Sequence, residues 1–280
     1  MKLLEAIAAR GMTPPHHVTP GRWQRFPGVG KGKANRSGWL RVISPTLAIF
    51  GDWSSGLSEV WRDDSHTGDV DTAALLKQAR IRERQYQQQQ ERQQAKVAAE
   101  AAELVRGAVL SGHPYLEAKG FKERTCLVRD GKLVIAVRDA IDYRQIISAQ
   151  LIDETGEKRF LTGGRTRNGI HRLGVAPERA RRVVFCEGYA TGLSIDAALR
   201  KLPGSHCVVV CFSARNLETV VKSTGLRGLV CADNDASLTG EESAKRTGLP
   251  WVMPPQVGTD FNDLHRAAGL HAVVEVLRPH

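Results

Sequence analysis

The 280-residue sequence lacks the features that mark membrane and exported proteins. It has no uninterrupted apolar run of about 18 residues, the length at which a membrane-spanning helix becomes a candidate. Its first residues, MKLLEAIAARGM, are interrupted by Glu5 and Arg10 and lack the apolar centre of a signal peptide. We therefore expect neither membrane association nor export.

Cysteine is scarce and unsuitably spaced for cross-links. The five cysteines are odd in number and contain no C-x-x-C pair, so neither a disulfide framework nor a zinc ribbon is predicted. Most of them lie in or beside valine-rich runs, where cysteine acts as a small buried apolar residue. We expect no zinc site and a reducing cytoplasm as the compartment.

Positive charge is in excess and unevenly distributed. The formal net charge is +10, and residues 111–182 carry 15 basic against 9 acidic side chains. Residues 183–280 carry 9 basic against 10 acidic side chains. The asymmetry predicts a path for a polyanion beside an acidic, cation-binding site.

The composition changes sharply along the first part of the chain. Residues 1–70 are rich in Gly, Pro and Trp, and short runs at 39–43 and 46–50 predict strands of a small β-rich module. Residues 71–110 contain no Gly or Pro before Gly107, which predicts a solvated helical connector.

The loop FPGVGKGKAN at 26–35 is not a phosphate-binding P-loop, because its glycines have the wrong spacing. Two readings of its surroundings remain open. Lys31 and Lys33 could contact phosphates while Trp23 and Trp39 stack on bases. The tryptophans could instead pack in a core, which their large apolar surface favours.

The segment 111–182 predicts a short helix followed by strands at 133–137, 145–153 and 158–162, the last two joined as a hairpin. A basic stretch begins in the last strand and contains a single acidic residue, Glu178. Its members are Lys158, Arg159, Arg165, Arg167, Arg172, Arg179, Arg181 and Arg182. This stretch is the strongest nucleic-acid-binding candidate in the sequence.

The segment 183–280 alternates apolar strands with amphipathic helices. The pattern predicts an α/β fold, with a parallel sheet flanked by helices on both faces. Acids follow the strands, at the edge where such sheets bind ligands. They are Glu187, Asp233, Asp235, Asp260 and Asp263. Clustered carboxylates need cations, and hard oxygen ligands suit Mg²⁺ or Mn²⁺. Asp263 could alternatively cap a helix.

An apolar strand ending in Glu-Gly, then a strand ending in Asp-x-Asp, and later GTDFNDL resemble the Toprim domain over the whole of 183–280. Upstream, HPYLEAKG, LVIAVRD and AQLIDETGEKRFLTGGR resemble the segment before Toprim in plasmid- and phage-encoded primases, and the N-terminal region looks like their leading region. Composition and resemblance together predict a β-rich N-terminal module (1–70), a mixed β-rich primase segment (111–182) and a Toprim domain (183–280). The resemblance does not cover the helical connector (71–110), which is predicted from composition alone.

The resemblance also implies an activity, the synthesis of RNA primers from ribonucleoside triphosphates on single-stranded DNA in a bacterial host. Asp233 and Asp235 would hold metal, and Glu187 would be a metal ligand or a general base. Lys158, Arg159, Arg165 and Arg167 would hold phosphates. Thr191 stands where many replicative primases have another acid. We therefore expect metal binding to depend more on Asp260 and Asp263. No Walker A motif is present, so any helicase would be a separate chain.

Three other functions remain to be weighed. A Toprim nuclease would use the same acids to activate water, but the upstream resemblance argues against it. A topoisomerase needs a tyrosine on a large gating module, for which this chain is short. A non-catalytic DNA-binding factor would have no need of clustered acids.

Overall fold

A computed structural model describes residues 2–63 and 72–279 of the chain. The chain forms two compact units, Met1–Gln89 and Gln90–His280. The division falls within a long helix. The boundary predicted between residues 70 and 71 lies outside the described residues, and the four predicted segments stay a prediction.

The first unit is a four-stranded antiparallel sheet with a short helix against it. The elements are α1 (Leu3–Ala9), β1 (Trp23–Phe26), β2 (Gly38–Ser44), β3 (Leu47–Asp52) and β4 (Leu57–Arg62). Its core contains Ile7 from the helix together with Leu40 and Phe50 from the sheet. The predicted strands at 39–43 and 46–50 are confirmed as β2 and β3.

A long helix, α2, runs from Thr72 to Arg106, as the absence of Gly and Pro predicted. Its C-terminal part is not fully solvated, however, and that part of the prediction is wrong. Val97 and Ala101 are buried, and Ala101 packs against Val134 and Ala149. The cause is a stripe of small apolar residues, recurring about every four positions, that makes one face of these turns apolar.

The second unit begins with mainly antiparallel structure. Its elements are β5 (Val109–Ser111), α3 (Pro114–Ala118), β6 (Cys126–Arg129), β7 (Lys132–Asp139), β8 (Ile146–Ile152), β9 (Lys158–Phe160) and β10 (Gly169–Gly174). The hairpin predicted between 145–153 and 158–162 is confirmed as β8 and β9, with Gln150 opposite Phe160.

The rest of the unit alternates strands and helices as predicted. Its elements are β11 (Arg182–Cys186), α4 (Tyr189–Leu199), β12 (His206–Val210), α5 (Ala214–Thr224), β13 (Leu229–Cys231), α6 (Thr239–Thr247), β14 (Trp251–Val252) and α7 (Phe261–Leu277). The four strands run parallel in the order β14-β13-β11-β12. After β11 the chain adds β12 on one side of β11, and it then crosses over to add β13 on the other side. The neighbouring strands β11 and β13 therefore form a topological switch point. Open parallel sheets bind ligands at this kind of switch point.

One sheet contains both halves of the unit. Strand β10 pairs antiparallel with β12 on one side and with β7 on the other, which makes ten strands continuous. The predicted primase segment and the parallel sheet are thus hydrogen-bonded together. The same sheet therefore contains strands from both sides of the boundary predicted at residue 182.

Helices cover both faces of the parallel strands. Residues of α4 and α7 pack with Val184, Cys186 and Val208 on one face, while α5 packs with Phe185 and Val209 on the other. This alternation follows from the two-residue period of a strand. No helix among residues 2–63 and 72–279 is both long and apolar enough to span a bilayer.

All five cysteines are buried and free, as predicted. Burial raises the pKa of Cys126 and of Cys207 to about 11. Burial also raises the thiol pKa values of Cys186, Cys211 and Cys231. These side chains are small core residues and contribute no reactive thiolate.

Candidate functional site

Two acids lie at the carboxyl ends of the two strands that form the switch point. Glu187 directly follows β11, and Asp233 lies two residues beyond β13. The strands are neighbours, with Phe185 opposite Val230. The sheet therefore brings these two predicted site residues to one edge.

Asp233 is the most perturbed carboxyl group at this edge. Its Oδ1 atom is buried and has no hydrogen-bond partner among the described residues. Burial, followed by the negative charges of Glu187, Asp260 and Asp235, raises its pKa to about 7. An unpartnered carboxylate oxygen in such surroundings is costly unless a cation neutralises it.

Glu187 has a partner but is also disfavoured as an anion. Its carboxylate accepts a hydrogen bond from the backbone N–H of Ala214, the first residue of α5. Burial raises the pKa of Glu187 despite this bond, and the charge of Asp235 raises it further. The role of Ala214 could not be predicted from the sequence, because a backbone donor has no side-chain pattern.

Asp235 is occupied within its own loop. Its Oδ1 accepts hydrogen bonds from the Ser237 hydroxyl at 2.5 Å and the Thr239 N–H at 3.2 Å. Its Oδ2 accepts from the N–H of Gly240 at 3.3 Å. These bonds, that of Ser237 foremost, lower the pKa of Asp235. Asp235 therefore organises the start of α6 and supplies negative charge to the site.

Asp260 and Asp263 form a capping box at the start of α7. Asp260 Oδ1 accepts from the N–H groups of Asn262 at 2.6 Å and Asp263 at 2.9 Å, while Asp263 Oδ2 accepts from the Asp260 N–H at 3.2 Å. The buried Thr191 hydroxyl donates to Asp260 Oδ2 at 3.1 Å. Thr191 thus holds Asp260 where its charge acts on Asp233.

Asn234, between the paired acids, joins two loops of the site and was missed in the sequence. It forms an isolated bridge with Thr259, its backbone C=O accepts from Gly258 N–H at 2.6 Å, and its Nδ2 donates to the Pro254 C=O at 2.8 Å. The available sequence signal for Asn234 was its position between the two acids of the motif ADND. These bonds fix the spacing between the loops that carry Asp233 and Asp260.

The donor set fits a hard divalent cation. Within the described ranges, no three His, Cys, Asp or Glu side chains are close enough to form a complete metal cage. Asp235, Asp260 and Asp263 direct oxygens to hydroxyl or N–H groups, whereas Asp233 keeps an unpartnered oxygen. One or two carboxylates completed by substrate phosphates and water are typical of Mg²⁺ sites. Glu187 and Asp233 are the residues that fit this pattern best.

Lys158 at the start of β9 extends positive charge to the acids. It lies near enough to Asp233 and Asp260 for their charges to raise its pKa. Burial and then the charge of Lys119 outweigh them, so the pKa of Lys158 is lowered overall. Its Nζ lies 5.8 Å from the centroid of the Tyr115 ring. Lys158 therefore places a positive charge close to Asp233 and Asp260.

Two of the predicted arginines are engaged in the fold. Arg165 forms an ion pair with Asp139, with a nitrogen–oxygen distance of 2.6 Å. The Arg172 guanidinium lies 3.3 Å from the centroid of the Tyr143 ring. Both side chains are therefore already fixed, and the charge of Arg165 is neutralised by Asp139.

Arg159 and Arg167, from the same predicted stretch, are more accessible. Arg159 is exposed and pairs with Glu157 at 2.8 Å, a surface contact that an incoming phosphate could replace. Arg167 is also exposed and forms no ion pair within residues 2–63 and 72–279.

Three tryptophans form a row in the first unit. Trp39 is only 7% exposed, and its ring centroid lies 5.5 Å from that of Trp23 and 5.7 Å from that of Trp53. Trp23 and Trp53 are 48% and 63% exposed. Arg41 lies over Trp23 and Arg25 over Trp53. Trp39 therefore packs as a core residue, which was one of the two alternatives for it. Trp23 is accessible, and so is Trp53, which was not predicted as a site residue.

The glycine loop beside this row is held by one buried and one half-buried polar side chain. Asp52 is buried and accepts from the Val29 N–H at 3.2 Å, while Asn35 Oδ1 accepts from the Gly28 N–H at 3.0 Å. Hydrogen bonding, that of the Ser37 hydroxyl foremost, lowers the pKa of Asp52. The loop thereby presents Lys31 and Lys33 as exposed cations.

Comparison with known proteins identifies the acidic half of the second unit. Residues 182–271 match the family model of the Toprim domain. The chain therefore contains a Toprim domain, as its sequence motifs predicted.

Two solved structures share weaker similarity. One is the bacteriophage T7 lagging-strand DNA polymerase interacting with primase domains of two gp4 subunits bound to an RNA/DNA hybrid and dTTP; the match has 14% identity and a TM-score of 0.40, and covers 58% of this chain and 85% of that one. The other is the DnaG catalytic core, with 14% identity, a TM-score of 0.35, and coverage of 75% and 74%. Similarity this low does not by itself assign an activity.

Proposed function

We propose that the protein is a DNA primase that synthesises short RNA primers on single-stranded DNA, in the replication of a phage or plasmid. The observation that carries the proposal is the unpartnered, buried Asp233 oxygen beside Glu187 at the switch point of a Toprim domain. A group of this kind favours a divalent cation bound together with phosphate.

The surroundings supply the rest of the chemistry. Lys158 extends positive charge to the carboxylate edge from a strand of the same ten-stranded sheet. In the proposal, Lys158 and Arg159 neutralise triphosphate charge, whereas Arg165 is held in its ion pair with Asp139 and is already neutralised. Anionic substrate thus meets cations on one side and metal-binding carboxylates on the other.

Glu187 and Asp233 would hold Mg²⁺ or Mn²⁺, with Asp235, Asp260 and Asp263 adding negative charge around them. The bound metal would stabilise the attacking and leaving oxygens of nucleotidyl transfer. Glu187, with its raised pKa, is also suited to accept the proton of the attacking hydroxyl. Asn234 and Thr191 keep the acid-bearing loops in position.

The first unit would bind the template strand. Trp23 and Trp53 offer faces on which bases can stack, and Lys31 and Lys33 lie on the loop beside them. The partners in this proposal are single-stranded DNA, ribonucleoside triphosphates and a helicase on a separate chain, in the bacterial cytoplasm.

Labelled-ribonucleotide incorporation on single-stranded DNA, with Mg²⁺ or Mn²⁺, tests the proposal. We expect wild type to make short RNA and Glu187→Gln to make none while binding DNA normally. Asp130→Asn is the matched control, because the Asp130 side chain is 87% exposed in a turn. Metal-dependent cleavage of DNA without incorporation would instead identify a Toprim nuclease. Binding without either reaction would identify a non-catalytic replication factor.

A further inference from the structure

A cavity of about 340 Å³ adjoins the acidic edge on the side away from Asp233. It is lined by Phe160, Arg167, Phe212, Ser213, Arg215 and Asn216, among others. The Phe212 N–H donates to the backbone C=O of Glu187 at 2.8 Å, so the cavity begins at a residue bonded to the site. Its volume lies in the lower part of the range for small-ligand pockets.

One wall of the cavity is aromatic. The rings of Phe160 and Phe212 lie 5.5 Å apart between centroids and meet edge to face at 81°. Phe212 has a φ of 67°, a left-handed conformation that a bulky side chain rarely adopts. Strained residues of this kind cluster at ligand sites, where the surrounding structure holds them in place.

A second part of the cavity wall is basic. Arg167 and Arg215 are both exposed, and neither forms an ion pair within the described parts of the chain. The nearby Arg165, in contrast, is neutralised by Asp139. Two unpaired guanidinium groups at one opening favour a ligand with phosphate oxygens, which guanidinium binds through paired hydrogen bonds.

Asn216 fixes the two walls relative to each other. Its Oδ1 accepts from the Asn168 N–H at 2.7 Å, and its Nδ2 donates to the C=O groups of Gly169 and Cys211, both at 2.8 Å. The Arg167 loop is therefore bonded to the strand end that carries Phe212. The cavity is a formed site and needs little rearrangement to receive a ligand.

We propose that this cavity binds a ribonucleoside triphosphate, with its base against Phe160 and Phe212 and its phosphates between Arg167, Arg215 and the acidic edge. This inference rests on the proposed function and deepens it, because it assigns the aromatic contact and Arg215. A flat ring joined to a polyphosphate is the chemistry that matches both walls.

The test measures equilibrium binding of ATP and of tripolyphosphate to the full chain, without DNA and in EDTA, so that no synthesis occurs. Phe212→Gly removes the ring and also relieves the left-handed backbone, which guards against misfolding. We expect it to raise the Kd for ATP about tenfold and to leave that for tripolyphosphate unchanged. Phe212→Tyr, which keeps a ring, should bind ATP as wild type does.

Arg215→Ala should raise both dissociation constants about tenfold, whereas Arg227→Ala, an exposed arginine just before β13 begins, should change neither. Wild-type ATP affinity of Phe212→Gly, or an equal loss of ATP and tripolyphosphate binding, would overturn the proposal. So would a Phe212→Gly defect confined to a single-stranded oligonucleotide, which would assign the cavity to the DNA strand. Normal ATP binding without primer synthesis would refute the primase proposal and leave this one standing.

Discussion

Replacement of Asp233 by Asn should stabilise the metal-free protein at alkaline pH. Burial and neighbouring acids raise the Asp233 pKa from its usual 3.8 to about 7. At about 1.36 kcal/mol per pH unit, ionisation of this group costs the folded state about 4 kcal/mol. Between these two pKa values the unfolded chain has lost the proton and the folded chain retains it, so stability falls as pH rises.

The variant lacks this penalty because Asn carries no charge. In EDTA, the difference in unfolding free energy between Asp233→Asn and wild type should be small near pH 4 and should approach about 4 kcal/mol at pH 8. Urea unfolding followed by circular dichroism measures it. Added Mg²⁺ at pH 8 should stabilise wild type and reduce the difference, because the cation neutralises the carboxylate.

Asp130→Asn serves as the control, since its exposed turn position (φ 50°) accepts Asn and its change in stability should stay within about 0.5 kcal/mol. A pH-independent difference between Asp233→Asn and wild type would refute the reasoning, because it would mean that Asp233 ionises normally in the fold. Equal stabilisation of both proteins by Mg²⁺ would show that the cation binds elsewhere.

Three further predictions concern other parts of the chain. In the first unit, Trp53→Ala should weaken single-stranded DNA binding about tenfold, and Lys33→Ala should flatten the log K against log salt slope by about 0.7, both measured by titration at several salt concentrations. Asp196, wholly buried among Arg and His partners that lower its pKa, should cost about 3 kcal/mol of unfolding free energy when changed to Ala. Because that pKa is lowered, the contribution is present above about pH 4 and is lost as pH falls further, which urea unfolding across acid pH would reveal. A fragment of residues 90–280 should fold and have a higher melting temperature than a fragment of residues 111–280. The shorter fragment lacks the buried end of α2, whose apolar burial contributes about 2 kcal/mol to stability. Equal melting temperatures would contradict this prediction.

The sequence was most informative where local pattern and tertiary environment agree. The run VVFC is apolar throughout because β11 has neighbours on both edges and helices on both faces, and such strands can be read directly. Once this strand was predicted, Glu187 was also correctly predicted to lie at its carboxyl end. The same alternation predicted amphipathic helices between the strands, and the structure has α4, α5, α6 and α7 there.

Roles that depend on tertiary partners could not be read from the sequence. Asp233 and Asp235 are two residues apart and chemically identical. Yet Asp233 has a buried oxygen without a hydrogen-bond partner among the described residues, whereas Asp235 accepts hydrogen bonds from the first two residues of α6. Asp260 likewise became a cap because its own helix begins at the next residue. Phe212 ends the apolar run CVVVCF, and nothing in that run reveals its left-handed φ.

The buried cysteines make the chain convenient for site-specific labelling. All five thiols are shielded and have raised pKa values, so maleimide or other thiol reagents should react with them slowly under native conditions. One cysteine introduced at an exposed position such as 130 would then be the fast-reacting thiol, without prior removal of the native ones. With a second exposed cysteine introduced in the first unit, dyes or spin labels could report distances between the two units in solution as DNA and nucleotides are added.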